Sequence, residues 1–197
     1  MRAIFYIVVF INLLLISNVF GQELATLSGI RNKYFILNNG EDSCLSNGLK
    51  NASVQMIYLL FAAEEDPIGL DPGLSVDGRW RSINLMKILK DEEIEACFST
   101  PFKRNELTLQ VLREKLQIPL TYYDQADLKS LFNKIKNLKN NNVVVMVHKE
   151  TLPLIIEHFT QKAFSESIIN QPSDRIFVLE RPLKGTSKVQ TFRYNIR

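Results

Sequence analysis

The feature that most constrains the fold is a recurrence of short, largely apolar runs, each followed by a stretch of helical periodicity. Met56–Phe61, Ile94–Phe98 and Val143–Val147 have strand length and little polar alternation. Each therefore predicts a strand covered on both faces. Ser75 reads as an N-cap, and Asp77 favours the first turn of a helix reaching about Lys90. Trp80, Ile83, Met86 and Leu89 recur along that helix, with Leu85 and Ile88 widening the stripe. Ser99-Thr100-Pro101 opens the next helix, with Pro placed in its first turn and Leu109, Leu112 and Leu116 as its apolar positions. Asp124 with Asp127 imitates a capping box. It precedes a strongly amphipathic helix carrying Leu128, Leu131, Phe132, Ile135 and Leu138. Thr151 or Leu152, with Pro153, starts a helix holding Ile155, Ile156 and Phe159. Arg175–Glu180 and Val189–Tyr194 read as closing strands, antiparallel because only a short turn at Leu183-Lys184-Gly185 separates them. Alternating strands and helices predict an α/β fold, a three-layer sandwich with a mainly parallel sheet.

The ends of the chain divide the sequence. Arg2 followed by the apolar run Ala3–Ser17 and then Val19-Phe20-Gly21 is a secretory signal pattern, with cleavage expected before Gln22. The run is short for a membrane span. No second run of spanning length follows, so the expected location is extracytoplasmic, periplasmic or secreted, with no membrane span after cleavage. Residues 22–54 form an N-terminal extension in which only a strand at Tyr34–Leu37 and turns at Asn38-Asn39-Gly40 and Asn47-Gly48 are readable. Residues 55–197 form the α/β domain, of a size that supports a full core. The net charge of +3 drops to +2 without Arg2. The lysines between Lys129 and Lys139 share a helix with an apolar face and read as a solvated surface. No basic stretch interleaved with aromatics occurs, which argues against nucleic acid. Cys44 and Cys97 are the two cysteines, and their spacing suits neither a metal site nor a redox motif. A disulfide between a loop Cys and a strand Cys would need strict proximity. Asn51-Ala52-Ser53 matches the glycosylation acceptor pattern.

A sheet of this kind binds ligands beyond the C-terminal ends of its strands. Three places qualify: the loop after Phe61, the helix start after Ser99, and the loop holding His148. The sequence contains no HExxH, nucleophile elbow, phosphate loop or dinucleotide fingerprint, and two histidines cannot build a His-rich metal site. No cofactor is implied. His148 directly follows a strand and can be functional or merely end it. His158, beside Phe159, reads as structural. Arg104, in the first turn of a helix, suits an anion through its planar fork and the free amides nearby, or is simply solvent-facing. Glu64, Glu65 and Asp66 offer a general acid or cation ligands, or only a soluble loop.

The segments at these places resemble the histidine phosphatase superfamily, the phosphoglycerate mutase-like proteins, especially their short bacterial branch. The family's opening strand and Arg-His-Ala-Glu correspond to Met56–Leu60 followed by Phe61-Ala62-Ala63-Glu64. Its Asp-Pro-x-Leu-Ser-x-x-Gly block corresponds to Asp71-Pro72-Gly73-Leu74-Ser75-Val76-Asp77-Gly78. Its Ser-Ser-Pro-Leu-x-Arg block corresponds to Ser99-Thr100-Pro101-Phe102-Lys103-Arg104. Its Val-Val-Gly-His-Ser-Asn-Thr-x-Pro block corresponds to Val145-Met146-Val147-His148-Lys149-Glu150-Thr151-Leu152-Pro153. The likeness runs from Met56 to the C-terminus. It implies a phosphohistidine-forming site in which two arginines and a second histidine hold the phosphoryl oxygens. Arg104 and His148 keep their positions. The nucleophile position is Ala62, which has no lone pair, and the first arginine position is Phe61, which has no charge. Val147 replaces a glycine.

Three readings follow from the resemblance. The first is a pseudophosphatase whose altered cleft binds a phosphorylated or other anionic small ligand, or a protein, through Arg104, His148 and Phe61. The second is a weak or re-purposed phosphomonoester hydrolase using His148 with one of the acids. The third is a domain whose useful surface lies elsewhere, such as Gln22–Ser53.

Overall fold

The computed structural model describes residues 24–31, 34–40, 42–44, 54–138, 141–164 and 173–195. The signal pattern at Met1–Gly21, the turn at Asn47-Gly48 and the acceptor pattern at Asn51-Ala52-Ser53 lie outside the described residues.

The central layer is a six-stranded sheet. Its strands are β4 (Val54–Leu60), β5 (Ile94–Ser99), β6 (Leu120–Tyr122), β7 (Asn142–Met146), β8 (Arg175–Pro182) and β9 (Lys188–Arg193). Their spatial order is β6-β5-β7-β4-β8-β9. The first four in that order run parallel, and β8 joins β4 antiparallel, as the closing hairpin predicts. Four helices cross over between or after the parallel strands: α1 (Val76–Leu89), α2 (Lys103–Leu116), α3 (Leu128–Asn137) and α4 (Thr151–Thr160). The two-residue period of β4 sorts the core. Met56, Tyr58 and Leu60 pack with Leu85, Ile88 and Leu89 of α1 and Leu109 and Leu112 of α2. Ile57 and Leu59 pack with Leu131, Phe132 and Ile135 of α3 and Ile155, Ile156 and Phe159 of α4. The expected three-layer α/β sandwich is therefore the observed architecture.

The described residues of the N-terminal extension contain three strands. Strands β1 (Leu27–Arg31), β2 (Tyr34–Leu37) and β3 (Asp42–Cys44) form a separate antiparallel sheet. The turn predicted at Asn38-Asn39-Gly40 links β2 to β3, with Gly40 at φ +78°. Leu27, Ile30 and Phe35 are buried in the same cluster as the α1 face of the large sheet. The Phe35 and Phe192 rings lie 4.8 Å apart. Thr26 bridges to Arg193 at the edge strand. Edge strand β9 and the α1 side are thereby covered.

Several local expectations need correction. Trp80 does not lead the buried stripe of α1; it is 42% exposed, and Gly78, Arg81, Ser82, Leu85, Ile88 and Leu89 face inward. The inward face is set by the loop after β4, which α1 must approach closely, and not by the most apolar stripe. Helix α2 begins at Lys103 rather than at Pro101 and has no side-chain cap of its own. Its first amide instead donates to the Asp71 carboxylate from the loop after β4, at 3.1 and 3.2 Å. Asp127, not Asp124, caps α3 by accepting from the Ser130 amide at 3.2 Å. Asp124 turns the preceding loop through the Ala126 amide at 2.8 Å. Strand β6 gave no sequence signal; three half-exposed residues at a sheet edge carry no periodicity. Cys97 is a free, buried thiol in β5 whose pKa burial pushes up to about 12. Among the described residues no helix is long and apolar enough to cross a membrane.

Candidate functional site

The parallel register brings three strand ends together. Leu60 at the end of β4 pairs with Met146 at the end of β7, and Phe98 of β5 pairs with Val145. The Val147 amide continues the ladder by donating to the Leu60 carbonyl at 2.8 Å. Phe61 and Ala62 are thereby set beside Val147 and His148, with Thr100 and the start of α2 on the other side. The result is a cleft of about 420 Å³ lined by Phe61, Ala62, Ala63, Glu64, Glu65, Arg104, Asn105, Val147, His148, Lys149, Glu150 and Ser173. All four positions singled out from the resemblance thus meet in one place. Asp66 does not line this cleft; the chain has already turned away. Nor does His158. It stacks on Phe132 on the far face of the sheet, with ring centroids 3.8 Å apart and planes 11° apart.

His148 is held at both ends. Its backbone amide donates to Thr151 Oγ1 at 3.0 Å, and its carbonyl accepts the Leu152 amide at 2.9 Å, which starts α4. Its Nε2 lies 2.9 Å from Thr100 Oγ1. That hydroxyl oxygen already accepts from Asn105 Nδ2 at 2.9 Å. That hydroxyl still has a second lone pair and a proton, so it donates to Nε2 when the ring proton is on Nδ1 and accepts when Nε2 carries the proton. Burial lowers the His148 pKa; the nearby Glu150 charge opposes this and the Arg104 charge assists it. The lowered pKa favours the neutral imidazole.

Arg104 is paired. Its Nη1 lies 3.0 Å from Glu65 Oε2, and its guanidinium lies 5.1 Å from the centre of the Phe102 ring. Glu64 faces the other way, into a network that the sequence did not reveal. Arg81, almost fully buried in α1, donates Nε to both Glu64 oxygens at 2.9 Å and Nη1 to the Tyr194 carbonyl at 2.6 Å. Its Nη2 also donates to Glu64. Ser173 Oγ donates to Glu64 Oε1 at 3.1 Å. Burial pushes the Glu64 carboxyl up, but the Arg81 hydrogen bonds and charge, its own backbone and Ser173 outweigh that and hold it below 4.5. Gly78 makes the arrangement sterically feasible: a Cβ there would sit 2.1 Å from the Glu64 carbonyl oxygen. Glu64 is thus an ionised structural carboxylate, poorly suited to donate a proton.

Phe61 does not offer its ring to the cleft. It is 9% exposed and meets Phe177 edge-on, with centroids 6.1 Å apart, within the α3 and α4 side of the core. The handle for a partner expected at this residue is mostly consumed by packing. Val147 is equally buried. The chemistry left at the cleft is three carboxylates, Glu64, Glu65 and Glu150, and two cations, Arg104 and Lys149, around a neutral imidazole. Among the described residues no group of three His, Cys, Asp or Glu side chains could hold a metal ion.

Arg81, Thr100, Asn105 and Ser173 escaped the sequence reading as site residues. An arginine in the middle of a helix stripe was the one available signal, since burial there demands a partner.

No protein-family model matches the chain, and no curated protein matches it. Solved structures do. The protein histidine phosphatase SixA complexed with tungstate superimposes with a TM-score of 0.57 at 16% identity, covering 71% of this chain and 97% of that one. The fold is that of the histidine phosphatases. The mycobacterial glucosyl-3-phosphoglycerate phosphatase in complex with inorganic phosphate gives a TM-score of 0.56 at 10% identity, over 72% of this chain and 98% of that one. YhfR from Bacillus stearothermophilus gives 0.54 at 16% identity, over 68% and 95%. The histidine-phosphatase fold thus accounts for most of the chain, and these identities speak to the fold alone.

Proposed function

We propose that this protein uses a histidine-phosphatase fold for binding rather than for phosphoryl transfer, and that it works outside the cytoplasm. The observation that carries the first half is the side chain at the end of β4: the Ala62 methyl, in the cleft with His148 and Arg104, cannot attack phosphorus. Two further features support it. Phosphoryl transfer rests on positioned positive charge, whereas here Arg104 is engaged by Glu65 and carboxylates outnumber cations in the lining. Burial disfavours the charged form of His148, and a neutral ring stabilises a phosphoryl oxygen less than an imidazolium does. The Met1–Gly21 pattern supports the second half.

The ligand of this reading is a small anion of modest affinity, held by Arg104. The solved relatives crystallised with tungstate or phosphate make phosphate and vanadate the natural probes. Calorimetry of purified protein against both is expected to show weak binding that Arg104→Ala abolishes, with no turnover of p-nitrophenyl phosphate. Turnover that disappears in R104A would overturn the reading and favour the alternative, a re-purposed hydrolase with His148 as nucleophile. That alternative requires Nε2 to leave Thr100 and leaves Glu64, locked to Arg81, unable to serve as acid.

A further inference from the structure

A second cavity, larger than the cleft, lies on the outer side of α1 and α2. Its volume is about 680 Å³, well inside the roughly 300–1,000 Å³ range of small-molecule pockets. Ser82, one of its lining residues, ties the two helices together, its hydroxyl lying 3.2 and 2.9 Å from the Leu107 and Thr108 carbonyls. The walls above that point are Ile83, Leu107 and Val111, closed at one end by Leu74 and Ile68 of the loop after β4. Ile68 is 80% exposed and Leu70, two residues on, is fully exposed. Two adjacent large apolar side chains on one loop, beside an apolar-walled cavity, are an unusual way to meet water.

The charged part of the lining is two cations and one acid. Arg79 and Lys103 border the cavity, and among the described residues no ion pair joins either one to an acid. The Arg79 Nε is fixed by the Leu74 carbonyl at 3.3 Å, which steadies the guanidinium at the rim. Asp66 also borders the cavity but accepts the Ile68 amide at 3.2 Å, as a turn-forming residue does. The site is separate from the cleft. Arg104 lines the cleft, whereas its neighbour Lys103 and the next turn of α2 line this groove.

We propose that the groove between α1 and α2 binds a small amphipathic carboxylate, its apolar body against Ile83, Leu107 and Val111 and its acid head against Lys103 and Arg79. An apolar chain gains from leaving water along these walls. One acid head meets two unpaired cations at the rim, while a neutral head meets none. The inference does not depend on the phosphatase-like cleft.

The probes are octanoate and 1-octanol, a pair with the same chain and different heads. Methyl-labelled protein is titrated with each while NMR follows Ile83, Leu107 and Val111. Octanoate is expected to shift these methyls and to bind about three- to fivefold more tightly than octanol, the value of a solvent-exposed charge pair. Lys103→Ala should reduce that preference, Lys103→Ala with Arg79→Ala should erase it, and both should leave octanol binding unchanged. Val111→Trp, which fills the groove from an exposed helix face, should weaken both. Equal affinity for the two probes, a preference that survives the double variant, or shifts confined to residues around His148 would each overturn the proposal. So would the absence of shifts at these methyls in protein whose spectrum is that of a folded chain.

Discussion

Gly78→Ala isolates the contact that fixes α1 on the end of β4, and its cost can be worked from the structure. The new Cβ would lie 2.1 Å from the Glu64 carbonyl oxygen, 3.0 Å from its carbonyl carbon and 3.2 Å from its nitrogen. These are backbone atoms, so no side chain can swing aside. Restoring ordinary contact requires α1 and the loop to separate by more than an ångström. The Glu64 carbonyl also accepts the Ser75 amide at 2.9 Å, and Ser75 Oγ accepts the Gly78 amide at 3.1 Å. Separation therefore strains the N-cap and the Arg81–Glu64 pair together. Overpacking of this kind costs about 1–3 kcal/mol, and a weakened hydrogen bond adds about 1 kcal/mol. Replacing a helical Gly returns up to about 1 kcal/mol. The expected net loss is about 2 kcal/mol, or about 4–8 °C in Tm for a domain of this size. Thermal and urea unfolding followed by circular dichroism measure it. The control is Gly73→Ala, whose Cβ meets Leu107 Cδ1 at 3.4 Å, an ordinary contact, and which should stay within about 0.5 kcal/mol. A G78A protein as stable as the parent would refute the steric account and with it the claim that Gly78 sets the position of Glu64.

Two further outcomes are expected. Phe35→Ala should cost about 3 kcal/mol, because the ring is fully buried against Phe192; urea unfolding reads this, and a negligible loss would show that the small sheet is not part of the core. His148 prefers its neutral form in the folded chain, so the unfolded chain takes up more protons as pH falls below the ordinary value of 6.5. Its contribution to stability is accordingly complete above that value, is lost as pH drops toward the lowered folded pKa, and changes no further below it. His148→Gln should flatten this part of the stability profile. The Glu64 effect appears separately, as pH falls from its ordinary value of 4.5 through its lowered one.

The elements most legible in sequence were those whose periodicity tertiary packing does not alter. Met56–Phe61 reads as a covered strand because both its faces are buried, and β4 has no exposed residue. Helix α3 reads cleanly because its lysines face water and Leu131, Phe132 and Ile135 face the sheet. Helix α1 was misread in orientation, since Arg81 and Gly78 face inward for reasons that lie in another segment. At the site, the motif order placed Ala62, Arg104 and His148 in one cleft. It could not show that Phe61 turns into the core or that Glu65 occupies Arg104.

The sequence by itself determined the alternation of covered strands and amphipathic helices, the turn at Asn38-Asn39-Gly40, and which chemical groups stand at the strand ends. Those are local properties, set by side-chain period, backbone freedom and residue type. Only the tertiary structure decided the rest. The pairs Arg81–Glu64, Thr100–His148 and Arg81–Tyr194 join residues 17 to 113 positions apart along the chain. Burial, pairing and protonation depend on what is nearby in space, and distances of that length along a chain carry no local pattern from which to read them.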